Sequence, residues 1–395
     1  MKAIVLNSNK RLKEIDILKA AAFVFVVAQH TIGGYSNGKN LSLLEYSILK
    51  FLYVSAKPAV PIFLFISGVL FFKVYEEKLD IKKFYLKKIK YILIPYIIWS
   101  SLNMYFLKNT DRFKDFIIEI IGGNGAYHLW YMGMIVRLYL IFPLIFYAAK
   151  KIHKSNIVIR MVTFISLIVL YYEVSKYNNV ISDYVGKMIF GKPTELEMRI
   201  VNISFIFWYL YFALGIYVGL NYDFIKQKLL KSKLLIFIIY VFLLIYAYLN
   251  ETNSIGFIRS LSIAYYCFSI LAVYLGSIML SERIKIYKIM SFVSKYSFSA
   301  YMLHIIVINY VVQYLRSKLF MSDYLMLGIL SCILVAIISP IIIKCLSFVP
   351  FSSYITGVKC SKIKLSNYGF EIKIWRNTQK GSRIIYKAGS YKVEG

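Results

Sequence analysis

Acidic residues are scarce in this chain of 395 residues. Nineteen Asp and Glu face 48 Lys and Arg, a formal charge of +29. In a water-soluble fold such an excess would raise nucleic-acid binding at once, so the placement of the charges decides their meaning. Charged residues of both signs make up only 17% of the chain, against roughly a quarter in ordinary globular proteins. Cysteine is equally thin. Cys267, Cys332, Cys345 and Cys360 lack the spacing of a metal site or a disulfide framework, and the first three lie in or beside apolar runs. They read as packed or lipid-facing thiols with no metal or redox role. There is no G-x-x-x-x-G-K-S/T phosphate loop and no HExxH pair, which argues against an ordinary ATPase or zinc peptidase. No internal repeat stands out, which disfavours transporters built from two similar halves. Nor is there a conventional cleavable leader. The first apolar run, from about Ile15, is long and lacks a small-residue cleavage site, so it is expected to remain as the first span.

Apolar residues, by contrast, abound: 59% of the chain is hydrophobic and the mean hydropathy is +0.63. A soluble protein would have to hide that excess in its cores, whereas lipid-facing side chains need no such burial. Runs able to cross roughly 30 Å of hydrocarbon recur near 15–33, 51–72, 91–107, 128–147, 156–173, 202–220, 232–249, 257–278, 294–314 and 324–347. Their length and continuity exclude a transmembrane β-barrel. The expected fold is an all-α polytopic membrane helix bundle of about ten transmembrane helices. An aromatic content of 17% suits it, since Tyr and Trp anchor helix ends at the headgroups.

The loops alternate in charge. Segment 73–90 carries Lys73, Lys78, Lys82, Lys83, Lys87, Lys88 and Lys90 against Glu76, Glu77 and Asp80. Lys150, Lys151 and Lys154 in 148–155 have no acid beside them, and the turns after the sixth and eighth runs are basic too. The connections 108–127, 174–201 and 250–256 between them are nearly balanced. This is the positive-inside pattern, and Lys10, Arg11 and Lys13 join it. Both termini are expected in the cytoplasm. Most of the positive charge then orients helices and meets anionic membrane lipid, and no nucleic-acid partner is needed. A transmembrane domain over 1–347 is expected to precede a basic cytoplasmic tail over 348–395. The alternating fragment Phe370-Glu371-Ile372-Lys373-Ile374-Trp375 allows either a short hairpin or no fixed structure there.

Ionisable residues inside spans are functional candidates by default. The first run holds Asp16, Lys19 and His30. Lys19 and His30, eleven positions apart, return to nearly one helix face about 16 Å apart along the axis. One face thus offers a cation at its inner end and an imidazole at its outer end. A snorkelling lysine and a capping histidine explain the spacing equally well. His128 opens the fourth run, where an interfacial aromatic role competes with a functional one. Arg137, further along that run, has to face a polar cavity or a partner. His304 falls mid-span in the ninth run, where a structural histidine bonded across helices is as good an account as a functional one. His153, in a basic turn, reads as surface. Pro58, Pro61 and the pair Ser67-Gly68 mark kinks and close packing in the second run.

Arg11-Leu12-Lys13-Glu14-Ile15-Asp16-Ile17-Leu18-Lys19-Ala20, followed by His30, resembles the opening of the acyltransferase-3 family of membrane O-acyltransferases. Pro61 to Gly68, Phe84 to Lys90 leading into Pro95-Tyr96, His128-Leu129-Trp130-Tyr131 and Ser297 to His304 are similar to further stretches of it, in order. The similarity covers about 11–358. It implies transfer of an acyl group, acetyl in the simplest case, from cytoplasmic acyl-CoA to a hydroxyl of a surface polysaccharide or lipid-linked glycan, in a bacterial plasma membrane and beside glycan-assembly proteins. His30 matches the family's essential histidine and would act as general base. Lys19 stands where the family usually has arginine, keeping the charge but losing the planar fork. Lys19, Lys87, Lys88 and Lys90 are the residues to meet the acyl-CoA donor, and His128 and Arg137 those to stabilise the tetrahedral intermediate; no metal is expected. The alternative is a polysaccharide exporter or transporter, in which Lys19 and Arg137 line an anionic path without covalent chemistry.

Overall fold

The computed structural model describes residues 11–38, 41–75 and 77–358. In chain order the helices are α1 (Lys13–Tyr35), α2 (Leu43–Ala56), α3 (Ala59–Val74), α4 (Ile81–Lys88), α5 (Ile94–Phe106), α6 (Phe116–Ile121), α7 (Trp130–Lys154), α8 (Ile157–Lys176) and α9 (Asn178–Phe190). They continue as α10 (Glu195–Asn202), α11 (Tyr209–Leu220), α12 (Tyr222–Lys231), α13 (Lys233–Glu251), α14 (Arg259–Leu280), α15 (Ile284–Lys318), α16 (Tyr324–Leu346) and α17 (Ser353–Thr356). No strand occurs among the described residues. The protein is an all-α polytopic membrane bundle.

Each apolar run folds as a helix, but not all of the roughly ten expected spans are long enough to cross a bilayer. Eight helical segments among the described residues are long and apolar enough to cross a bilayer, with α2 and α3 counted together as Leu43–Val74. The run read as 51–72 therefore starts eight residues earlier, at Leu43, and is broken at Lys57-Pro58, because proline cannot donate to the preceding turn. The runs at 91–107 and 202–220 give α5 and α11, only 13 and 12 residues long. At 1.5 Å per residue these reach about 20 Å and 18 Å, short of a full crossing. α5 is continued backwards by a π-helical turn, Ile89–Leu93, and by α4. The wider turn lies over the stretch where the Pro95 ring would crowd the carbonyl four residues earlier.

α1 is the axis of the bundle, packed against α2, α3, α14, α15 and α16. Its acidic first turn serves as anchorage. Buried Glu14 accepts from Lys226 Nζ at 2.6 Å and from the Tyr222 hydroxyl at 2.8 Å, tying α1 to α12. Asp16 accepts from Arg11 at 2.5 Å, Ser294 at 3.0 Å and Tyr287 at 3.3 Å, tying it to α15. α8 and α13 lie outermost and turn large apolar side chains outward, among them Ile157, Val158, Leu234 and Phe237. The tightest contact is α3 on α11, and it is made by glycine. A Cβ on Gly68 would come within 2.5 Å of the Phe212 carbonyl oxygen, and one on Gly215 within 2.2 Å of that of Phe65. Backbones therefore touch, the usual solution where lipid supplies no hydrophobic drive between helices.

After α16 the chain turns back, and α17 packs on α5 and α15. Trp99 donates to the Ile355 carbonyl at 2.8 Å and Ser299 to that of Thr356 at 2.7 Å. The rest of the expected tail, with its alternating fragment and Cys360, lies outside the described residues.

Candidate functional site

Three of the four histidines meet. His30 stands near the C-terminal end of α1, His128 in a single 3₁₀ turn ahead of α7, and His304 in the middle of α15. Ring centroids are 5.3 Å apart for His30 and His304, 4.8 Å for His128 and His304, and 6.1 Å for His30 and His128. His128 and His304 are fully buried, whereas His30 is half-buried beside Tyr127. His30 is thus the ring that an incoming molecule reaches.

The surrounding polar contacts hold backbone in place. The Tyr301 hydroxyl donates to the His128 carbonyl, joining α15 to the 3₁₀ turn. Buried Asn103 on α5 donates to the carbonyls of Trp99 at 2.8 Å and Met302 at 2.9 Å, fixing α15 two residues before His304. His304 Nδ1 lies against the Tyr301 carbonyl. A carbonyl only accepts, so Nδ1 carries the proton and Nε2 presents a lone pair. That Nε2, and both ring nitrogens of His128, are buried without a partner among the described residues. Buried polar atoms left so cost about 1–3 kcal/mol each, and native folds tolerate few of them outside functional sites. Among the described residues no group of three His, Cys, Asp or Glu is disposed to hold a metal ion.

The other end of α1 carries cations. Lys19 is half-buried one turn beyond Asp16, close enough to Lys88 at the end of α4 for the two charges to repel. Lys88 Nζ lies 4.2 Å from the ring centre of Phe71 and 4.4 Å from that of Tyr139, an aromatic cradle that favours a cation. Burial, helped by the charges of Lys19 and Lys87, pushes Lys88 down to about 7. Lys90 turns to Tyr354, 4.9 Å from its ring centre, and Lys87 is exposed. The Asp16 and Glu14 carboxylates are held by the helix anchors described above, so this end stays positive.

The other expected site residues lie apart. Arg137 donates to the carbonyls of Gly133 at 3.1 Å, Ile200 at 2.7 Å and Ile203 at 3.1 Å. It clamps α7 to the end of α10, with its donors turned to backbone. His153 is half-buried at the far end of α7. In the sequence His304 reads equally well as structural or functional, and Asn103 has no assigned role. The available signal was the rarity of histidine in spans; a buried asparagine leaves no comparable mark.

The family described as an acyltransferase domain, acyltransferase-3, matches residues 12–344. A Staphylococcus aureus (strain MRSA252) protein named "Probable poly-beta-1,6-N-acetyl-D-glucosamine export protein" is 24% identical over 230 residues, which are 56% of this chain and 61% of that protein. The chain thus spans less than two thirds of that relative's length. No solved structure matches.

Proposed function

The chain belongs to the acyltransferase-3 family of membrane acyltransferases, and we propose that within it the protein is an O-acyltransferase. It moves an acyl group, acetyl in the simplest case, from cytoplasmic acyl-CoA to a hydroxyl of an extracytoplasmic glycan. The observation that carries this reading is the cluster of His30, His128 and His304 at one end of a central helix whose other end gathers Lys19 and Lys88.

The roles follow from the chemistry. Lys19 and Lys88, with Lys87 and Lys90 at the rim, hold the phosphates of the donor. The thioester arm extends along α1, over roughly 16 Å of helix, towards the histidines. Neutral His30 takes the proton of the acceptor hydroxyl as its oxygen attacks the thioester carbonyl. The C–O bond forms, the C–S bond breaks, and the proton passes to the departing thiolate. The N–H of neutral His128 stabilises the tetrahedral oxyanion in this scheme, a role in which one donor is typically worth 10²–10³ in rate. His304, its tautomer set by the Tyr301 carbonyl, keeps a lone pair towards the cluster. Arg137 belongs to the scaffold in this scheme. Alternating loop charge supports both termini, and the basic segment after 347, on the donor side.

Glycan export without acyl transfer is the second reading, favoured by the name of the Staphylococcus aureus relative. Mass analysis of surface glycans from cells with the protein, without it, and with His30→Ala or His153→Ala separates the two. Acyl mass present with the wild type and His153→Ala, but absent with His30→Ala, is the expected result. Intact modification in His30→Ala cells with glycan export stopped would overturn the enzyme reading. The relative's name makes a β-1,6-linked N-acetylglucosamine polymer the first acceptor to examine.

A further inference from the structure

A polar cavity of about 240 Å³ opens at the histidine end of the bundle between α8, α11, α13, α14 and the α2–α3 corner. Aromatic rings form its wall. Tyr171 and Tyr211 lie 5.7 Å apart between ring centres, Tyr211 and Tyr266 5.9 Å, and Tyr265 and Tyr266 5.3 Å. Two of their hydroxyls serve the protein itself: Tyr265 donates to the Val54 carbonyl at 2.7 Å, and Tyr171 to that of Phe207 at 3.2 Å. Tyr266 lines the cavity, with its hydroxyl in the field of Lys57 and Glu251. Across from the rings, the Glu251 carboxylate binds Lys57 and lies 3.6 Å from Lys50. Side chains of Lys57 and Glu251 keep 28% and 22% of their surface exposed, so the ion pair faces the opening and is only partly shielded. Asn250 adds an amide and Ser262 a hydroxyl.

We propose that this cavity is an acceptor subsite that holds one pyranose unit of the glycan, away from the unit being acylated. The proposal rests on the acyl-transfer reading above and names a site for its acceptor. A pyranose has an apolar C–H face that lies flat on the electron-rich face of a tyrosine, and a rim of hydroxyls that donate and accept at once. The cavity offers both: tyrosine faces, an accepting carboxylate, donating ammonium and amide groups, and the Tyr266 hydroxyl. A lipid tail would leave the ion pair facing hydrocarbon, and a phosphate would meet Glu251. The volume is below that of sites for drug-sized ligands, about 300–1,000 Å³, as a single sugar unit requires.

Two contacts join the cavity to the catalytic end. Gln29, the residue before His30, donates to the Ala56 carbonyl at 2.6 Å, next to Lys57 in the chain. Tyr53 packs against Gly33, one turn beyond His30, so closely that a Cβ there would come within 2.6 Å of the ring. The Lys57 ammonium lies 5.1 Å from the centre of the same Tyr53 ring. Bound sugar and His30 are therefore held by one continuous frame, and an acceptor chain threaded past both is presented in register.

The test uses full-length protein in detergent and β-1,6-linked N-acetylglucosamine oligosaccharides of one to six units, with binding followed by calorimetry. Affinity is expected to rise with length for the wild type. Tyr266→Phe should weaken hexasaccharide binding about three-fold or more, the size of one hydrogen bond. Tyr266→Ala and Asn250→Ala should weaken it further, while the monosaccharide is bound as before. In acyl-transfer assays the acceptor KM rises and kcat holds. Hexasaccharide binding equal to the wild type in all three variants, or no binding by the wild type, overturns the proposal. Binding that depends on Tyr266 without any acyl transfer would instead defeat the enzyme reading and leave the sugar site standing.

Discussion

Replacing Gly215 with alanine tests the packing that holds α3 on α11. The added methyl would lie 2.2 Å from the Phe65 carbonyl oxygen, 2.9 Å from its carbonyl carbon and 3.0 Å from its Cα. All three are backbone atoms, so no side chain can swing aside. An ordinary contact needs roughly 1 Å more, and α3 and α11 must separate by about that much, losing dispersion along the whole seam. Overpacking of this kind costs about 1–3 kcal/mol, and a backbone clash belongs at the upper end. Alanine also gains about 1 kcal/mol of helix propensity over glycine, which offsets part but not all of the loss. Gly276 on α14 has nothing within 4 Å of its would-be Cβ, so Gly276→Ala collects the propensity gain alone. The two variants should therefore differ by about 2–3 kcal/mol. Equilibrium unfolding of detergent-solubilised protein measures the difference directly. Equal stabilities for Gly215→Ala and Gly276→Ala would refute the backbone contact between α3 and α11.

Other expectations concern the two ends of α1. His304→Phe should leave the unfolding midpoint unchanged or higher, because it removes a buried, unpartnered nitrogen, yet lower acyl transfer at least ten-fold; a stable variant with full activity would remove His304 from the site. Glu14→Gln should destabilise by about 1–2 kcal/mol, discounted because Lys226 keeps 31% of its side chain exposed, with the loss read by the same unfolding assay. Lys88, at about 7 when no anion is near, is mostly neutral at pH 8 and mostly charged below pH 6. Bound donor phosphates favour the ammonium, so acyl-CoA binding should take up close to one proton at pH 8 and almost none at pH 5.5. Calorimetry in buffers of different ionisation enthalpy reads this uptake, and Lys88→Met should abolish it. Uptake that is the same at both pH values would place the phosphates elsewhere.

The family resemblance was legible because it rests on short-range order. Arg11 to Ala20 followed by His30, and the stretch from Ser297 to His304, can be read without knowing where their helices go. Helix boundaries were less legible wherever proline intervened. The break at Lys57-Pro58 and the π turn before Pro95 depend on how the chain relieves a missing N–H, and hydropathy does not record that. Arg137 is a different case. A guanidinium within a span invites a catalytic role, but the carbonyls of Ile200 and Ile203 that engage it are more than sixty residues away.

Composition, run length and the distribution of charge by themselves determined that this is a helical membrane protein, since a bilayer demands long apolar helices whatever their neighbours. The 3.6-residue period also placed Lys19 and His30 along one side of the first helix. Tertiary structure alone decided what each of them meets. α15 and the 3₁₀ turn before α7 bring His304 and His128 to His30, and α4 brings Lys88 to Lys19. Such meetings depend on packing between segments up to 274 positions apart, as His30 and His304 are, and a local pattern carries no term for contacts of that range.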